Sequence, residues 1–281
     1  EGMLVWLTNL PDGFTDDFPY NHVSYISEIN AVFVTGKQND DWYTYKLDAE
    51  DGRLIRSYPD EMIVENGHNG YLYYEIENED NRRTLYKADY DLNIIDELYI
   101  GTYGGFESNG DVAIIGDTGW TGYIDIYAVD PDEMSFIGKL EPEEGEPFPE
   151  ARRGGGEVIP GDSTAYLVGT YEGQSVIVRF NIYTGKRLGA TLFDYDNMDD
   201  LVYRGVSVDP EGGVYMIAGE RIVKASENGF EWSLPLYGGL YNYRIDAHNN
   251  LDLIFVACTG PNLLIYTKDG EEVYESPGQP W

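Results

Sequence analysis

Short apolar runs and strict alternations of apolar and polar residues fill this chain, and the spacing of an amphipathic helix is almost absent from it. Clusters of Gly, Asp, Asn and Pro interrupt the runs at short intervals, the pattern of many brief antiparallel strands. One unit recurs. It reads as a short strand, a polar turn, an apolar second strand, a loop, an apolar third strand, an Asp/Gly turn and a final strand. The second strands are AVFVTG from Ala31, YLYYEI from Tyr71, VAIIG from Val112, AYLVG from Ala165, VYMIAG from Val214 and LIFVACTG from Leu253, with starts 39 to 53 residues apart. Third strands and turns keep step, as in YTYKLDAEDGRLIRSYP, VIVRFNIYTGKRLGATL and RIVKASENGFEWSLPL.

A repeat of about 40 residues carrying four short strands points to a β-propeller, because one such sheet cannot bury both faces alone and its neighbours must stack on it. The predicted fold is all-β: a single β-propeller over 1–281, with six four-stranded blades at about 19–59, 60–100, 101–149, 150–194, 195–239 and 240–281. Seven blades is the alternative. The N-terminal EGMLVWLTNLPDG reads like the turn and last strand of a repeat, compare NGFEWSLPLYGG from Asn228, while the last blade already owns EEVYESP. The N-terminal strand is expected to join the last blade and close the ring, which leaves no exposed edge.

Composition adds a strong field to this picture. The chain carries 18 Lys and Arg against 51 Asp and Glu, a net charge of −33. Such a surface repels nucleic acid and anionic lipid, so neither is expected as a partner. Three explanations stay open: solubility in concentrated salt, calcium binding, or the solubility of a secreted protein. No apolar run approaches the ~18 residues that a membrane-crossing helix needs, and no membrane insertion is expected. Glu1 in place of an initiator methionine fits a removed leader, and an extracellular or cell-surface location is expected. The single cysteine, Cys258, excludes an internal disulfide and reads as a buried structural thiol.

The pieces YKLDAEDGRLIRSYP, FNIYTGKRLGATL and EGMLVWLTNLP carry an aromatic, an Asp, a Gly turn and a further aromatic. In this they resemble the repeats of the pyrroloquinoline-quinone-type (quinoprotein) β-propellers. The resemblance recurs along nearly the whole chain but implies the fold alone. The tryptophan after the turn occurs at Trp6 and Trp232 only, and no vicinal cysteine pair is present. Quinone-dependent activity is therefore not expected.

In an antiparallel blade, the blade-to-blade connections lie at the same end as the loops joining second to third strands. Those connections contain GTYGG at Gly101, ARRGGG at Ala151, LVYRG at Leu201 and LYNYR at Leu240. Arg152, Arg153, Arg204 and Arg244 are thereby expected on one face, among Tyr103, Tyr203 and Tyr243, with Trp42 and Trp120 on the adjacent hairpin loops. Forked guanidinium groups match carboxylate or phosphate, and the aromatics suit a protein or glycan. The competing role for these arginines is salt bridging between blades. Asp194, Asp196, Asp199 and Asp200 in DYDNMDD form a weak candidate calcium loop, without the glycine and distal glutamate of an EF-hand. The histidines, His22, His68 and His248, are spread too widely to predict a metal site.

Two functional classes follow. The first is a non-catalytic binding module that engages a protein, glycan or anionic ligand through this top face, as part of a larger assembly. The second is a calcium-dependent hydrolase of the lactonase or phosphoesterase type, with Glu65, Glu107, Glu157 and Asp246 as candidate channel carboxylates. No other cofactor is expected.

Overall fold

The computed structural model describes residues 14–15, 22–39, 41–60, 62–77, 80, 82–101, 103–117, 126–141, 144–149, 155–158, 162–195, 201–236, 244–247, 251–257 and 263–275. Among them every regular element is a strand except one 3-10 turn at Ser27–Ile29. The strands make six sheets, the blades of a six-bladed β-propeller. The six second strands expected from the repeat are the second strands of these sheets. The expected ring-closing strand, 1–13, lies outside the described residues. The short β1 (Phe14–Thr15) pairs with Gln38 and Lys37 of the first blade.

The contacts divide the chain into two compact units, one of Glu1–Ile115 with Val129–Phe136, the other of Gly116–Ala128 with Ile137–Trp281. The first unit holds blade one, with β2 (His22–Ile26), β3 (Ala31–Gln38), β4 (Asp41–Asp48) and β5 (Leu54–Pro59), and blade two, with β6 (Ile63–Asn66), β7 (Leu72–Glu77), β8 (Arg83–Ala88) and β9 (Ile94–Gly101). Ile26, Phe33, Tyr58, Met62, Val64, Leu72, Tyr74 and Ala88 pack together as one core between them. Ser24 on β2 donates its hydroxyl proton to the Val64 carbonyl on β6, tying one innermost strand to the next.

The second unit holds blade four, with β14 (Gly155–Val158), β15 (Thr164–Tyr171), β16 (Gln174–Asn181) and β17 (Lys186–Phe193); blade five, with β18 (Leu201–Val208), β19 (Val214–Ala218), β20 (Arg221–Ser226) and β21 (Gly229–Pro235); and blade six, with β22 (Arg244–Ala247), β23 (Leu253–Ala257), β24 (Leu263–Thr267) and β25 (Glu272–Glu275). The run VYMIA of β19 shows why middle strands are continuously apolar rather than alternating. Val214, Met216 and Ala218 enter the core shared with blade four, while Tyr215 and Ile217 enter the core shared with blade six. Both faces are dry. Fourth strands differ: each has a wet side, which leaves Leu54, Ile55, Ile94, Ile95, Leu188 and Leu192 exposed.

The turns between third and fourth strands are closed by one device. The side chain of the turn's first residue accepts a backbone N–H two to four residues on: Asp48 from Glu50, Asp89 from Asp91 and Asn93, Asp130 from Asp132 and Glu133, Asn181 from Thr184, and Ser226 from Asn228. Short polar side chains favour this local bond over a strand ladder, which is why the strand stops there.

Candidate functional site

Four of those turns are preceded, two residues earlier on the third strand, by a cation: Lys46, Lys87, Arg179 and Lys224. Each reaches toward the corresponding turn of the following blade. In the first unit the Lys46 ammonium donates to the Tyr90 carbonyl and to Asp91 at 3.0 Å, and Lys87 donates to Asp132 at 3.2 Å. In the second, Arg179 pairs with Glu227 at 2.6 Å, and Lys224 donates to the Lys268 carbonyl while pairing with Glu231 at 3.1 Å. Lys46 and Lys87 are buried, their partner carboxylates exposed. These are clamps between blades, and the recurring cation two residues before Asp, Asn or Ser signals them in sequence. Sequence reasoning that looked only at the arginine-rich loops passes over them.

The predicted arginine face falls partly within the described residues. Arg204 lies on β18 and Arg244 opens β22, the innermost strands of blades five and six, and β18 packs beside both β14 and β22. Arg204 sits within a bulge, because pairing on β18 jumps from Leu201 opposite Ala218 to Val206 opposite Met216. Extra residues of this kind re-aim a strand locally and recur beside binding sites. Tyr203 shares the bulge, and Tyr103 opens β10 (Tyr103–Ser108) in the other unit. Arg152, Arg153, Tyr243 and Trp120 lie outside the described residues. Arg153 precedes β14 by two residues in sequence.

Trp42 is the cross-strand partner of Lys37, whose ammonium lies 5.1 Å from the ring centroid, so its half-buried indole meets a cation of its own blade. Of the candidate calcium loop only Asp194 is described; it is exposed and accepts a hydrogen bond from Gln174 at 2.9 Å. Asp196, Asp199, Asp200 and Cys258 lie outside the described residues. Glu65 is half-buried on β6 and Asp246 exposed on β22. Among the described residues no group of three or more His, Cys, Asp or Glu is placed to hold a metal ion.

Two further polar centres are structural. Asp209, at the turn after β18, accepts the N–H groups of Glu211 and Gly213 and the Tyr215 hydroxyl at 2.8 Å. A Cβ on Gly213 would stand 2.8 Å from that carboxylate, so the turn needs glycine there. Burial first, then the Asp209 bond, pushes the Tyr215 phenol far above its ordinary range. In the first unit, burial holds the His68 imidazole below its usual value, offset in part by Glu28, with Nδ1 3.9 Å from that carboxylate. Burial works to raise Glu28 itself, but its backbone, Ser27 and Asn66 hydrogen bonds lower it overall.

No family model matches the chain, and no curated protein matches it either. Solved structures do. BamB from Moraxella catarrhalis is similar at a TM-score of 0.53 and 15% identity, over 97% of this chain and 76% of that one. The fold is that of the quinoprotein-type propellers. A chain of the hydrazine synthase of Kuenenia stuttgartiensis matches at 0.64 and 14%, over 93% of this chain and 81% of that one. A chain of a nidogen/laminin complex matches at 0.51 and 10%, covering 84% and 89%. Identities this low make the quinoprotein-type resemblance one of fold.

Proposed function

We propose that the chain is a non-catalytic propeller module that binds an acidic protein segment through the arginines of its second unit, Arg152, Arg153, Arg204 and Arg244. The observation that carries this reading is the backbone placement of Arg204 in a bulge and Arg244 at the opening of the neighbouring innermost strand. Guanidinium groups suit forked acceptors, and tyrosines such as Tyr203 and Tyr243, next in sequence to Arg204 and Arg244, bring contact area at low entropic cost. One similar fold was solved within a nidogen/laminin complex, which favours a protein partner. A secreted or surface setting fits the acidic composition.

The test is a displayed-peptide selection on the wild-type protein, run in parallel on the Arg204→Ala/Arg244→Ala variant. Acidic peptides enriched on the wild type and lost on a variant of unchanged melting temperature support the proposal. Identical enrichment on both overturns it. So does a variant destabilised by about 3–5 kcal/mol, the cost of stranding carboxylates whose buried partners are removed, since that marks the arginines as clamps.

A further inference from the structure

Blade four carries a cation that the clamp pattern does not explain. The Arg187 side chain, on the fourth strand β17, is only 5% exposed. Among the described residues its one neighbour of opposite charge is Glu146, with Oε2 at 3.3 Å from Nη1, and that contact is too poorly aligned to be a hydrogen bond: Nη1 is buried with no hydrogen-bond partner. Among the described residues Nη1 is the one donor of this guanidinium that is both fully buried and without a hydrogen-bond partner. Buried polar groups are almost always satisfied, and an exception calls for water, an ion or a ligand.

The surroundings choose between these. Arg187 forms part of the wall of an open groove of about 380 Å³, lined otherwise by Glu146, Pro147, Leu188, Gly189, Ala190 and Leu192. Leu188 and Leu192 are exposed, and Pro147 and Ala190 extend the apolar wall between them. The volume falls in the range of small-molecule sites, roughly 300–1,000 Å³. We infer that this groove is a binding site for a small apolar carboxylate, whose head takes the idle fork of Arg187 and whose body lies on Leu188, Ala190 and Leu192. A carboxylate matches the fork with two parallel bonds. One guanidinium matches the single charge of a carboxylate and not the two of a phosphate dianion, and the exposed Leu188 and Leu192 offer an organic body a contact that a free inorganic ion does not use. Glu146 is more than half exposed on its connector, so a ligand carboxylate competes with a carboxylate that is free to hydrate. The site is separate from the arginine face and stands or falls independently of it.

The probe is sodium octanoate, titrated into the full chain by calorimetry in 0.5 M sodium chloride so that long-range repulsion by the acidic surface is screened. Saturable one-to-one binding is expected. Arg187→Gln should weaken it at least tenfold, octan-1-ol should bind at least tenfold more weakly than octanoate, and butanoate should bind more weakly than octanoate. Leu192→Glu alters an exposed residue and, with the melting temperature checked to be unchanged, should abolish binding through the wall alone, which keeps the test valid if Arg187→Gln fails to fold. Absence of saturable binding, equal affinity for the alcohol, or octanoate binding undisturbed by Leu192→Glu overturns the site. A crystal grown with octanoate in which ordered water alone satisfies Arg187 overturns it equally.

Discussion

Lys46 in blade one and Arg187 in blade four are both cations taken out of water in a chain with an excess of acids, yet their fates are opposite. Lys46 donates to a carbonyl and a carboxylate of the next blade's turn, and it lies 6.0 Å from the Phe33 ring centroid. Among the described residues Arg187 has one misaligned neighbour of opposite charge. Burial of a charge is affordable when its donors are used, and costly when they idle. An ammonium on a flexible stem finds two acceptors presented by a tightly capped turn. Among the described residues, a planar fork on an outer strand meets a glutamate on a connector beside the exposed Leu188 and Leu192. The first arrangement holds blades together; the second waits for a partner.

Several measurements can break this contrast. The largest effect should come from salt, because it acts on the whole field: raising sodium chloride from about 0.01 M to about 1 M shrinks the screening length from roughly 30 Å to 3 Å. The thermal midpoint should climb by more than any substitution below moves it, and a flat or falling midpoint would count against repulsion among the acids as the dominant surface term. Next, Lys46→Met leaves the Tyr90 carbonyl without its donor and should lower stability by about 2 kcal/mol, read from the urea midpoint. That loss should persist in molar salt, since the Tyr90 carbonyl is neutral and Lys46 is buried, so their bond is little screened. Arg187→Met should leave stability unchanged or raise it by about 1 kcal/mol, as expected when an underused buried charge gives way to apolar packing. A loss as large as that of Lys46→Met would erase the distinction between the two sites.

Smaller effects sharpen it. Asp91 is exposed and the Tyr90 carbonyl remains, so Asp91→Asn should cost less than about 1 kcal/mol and nothing measurable in molar salt. The least should come from Glu28 and His68, both held below their ordinary values. Each binds fewer protons folded than unfolded, so the stability it lends is present above its unfolded value and lost as pH falls through the folded one. Acidification from neutral should therefore weaken the fold in two steps, His68 first. Glu28→Gln should flatten the lower step by less than about 1 kcal/mol, because the carboxylate is exposed.

The fold was legible because the repeat states it many times over. Apolar second strands such as VYMIAG mark sheets buried on both faces, and the Asp, Asn or Ser at each turn marks where a strand must stop. The clamp was also written, in the spacing of Lys46 to Asp48, Lys87 to Asp89 and Arg179 to Asn181, but it becomes visible only once the repeats are laid side by side. The bulge around Arg204 was not, since register slips depend on how two strands settle against their neighbours. Arg187 carries no signal at all: KRLGATL reads as an ordinary outer strand, and only coordinates show that its buried Nη1 lacks a hydrogen-bond partner.

The turn caps and the clamps differ in how far along the chain they reach, and this gives assembly a direction. A cap such as Asp89 to Asn93 closes within four residues and forms as soon as its own segment exists. The clamp of Lys46 spans 45 residues and that of Arg179 spans 48, always toward the blade that follows. On a ribosome extending at about 5–20 residues per second, a blade that carries such a cation displays it for some ~2–10 s before its acceptor emerges. The chain thus displays a nascent hook before the eye it will fasten in blades one, two, four and five, so that each of these blades is held only once its successor has been made.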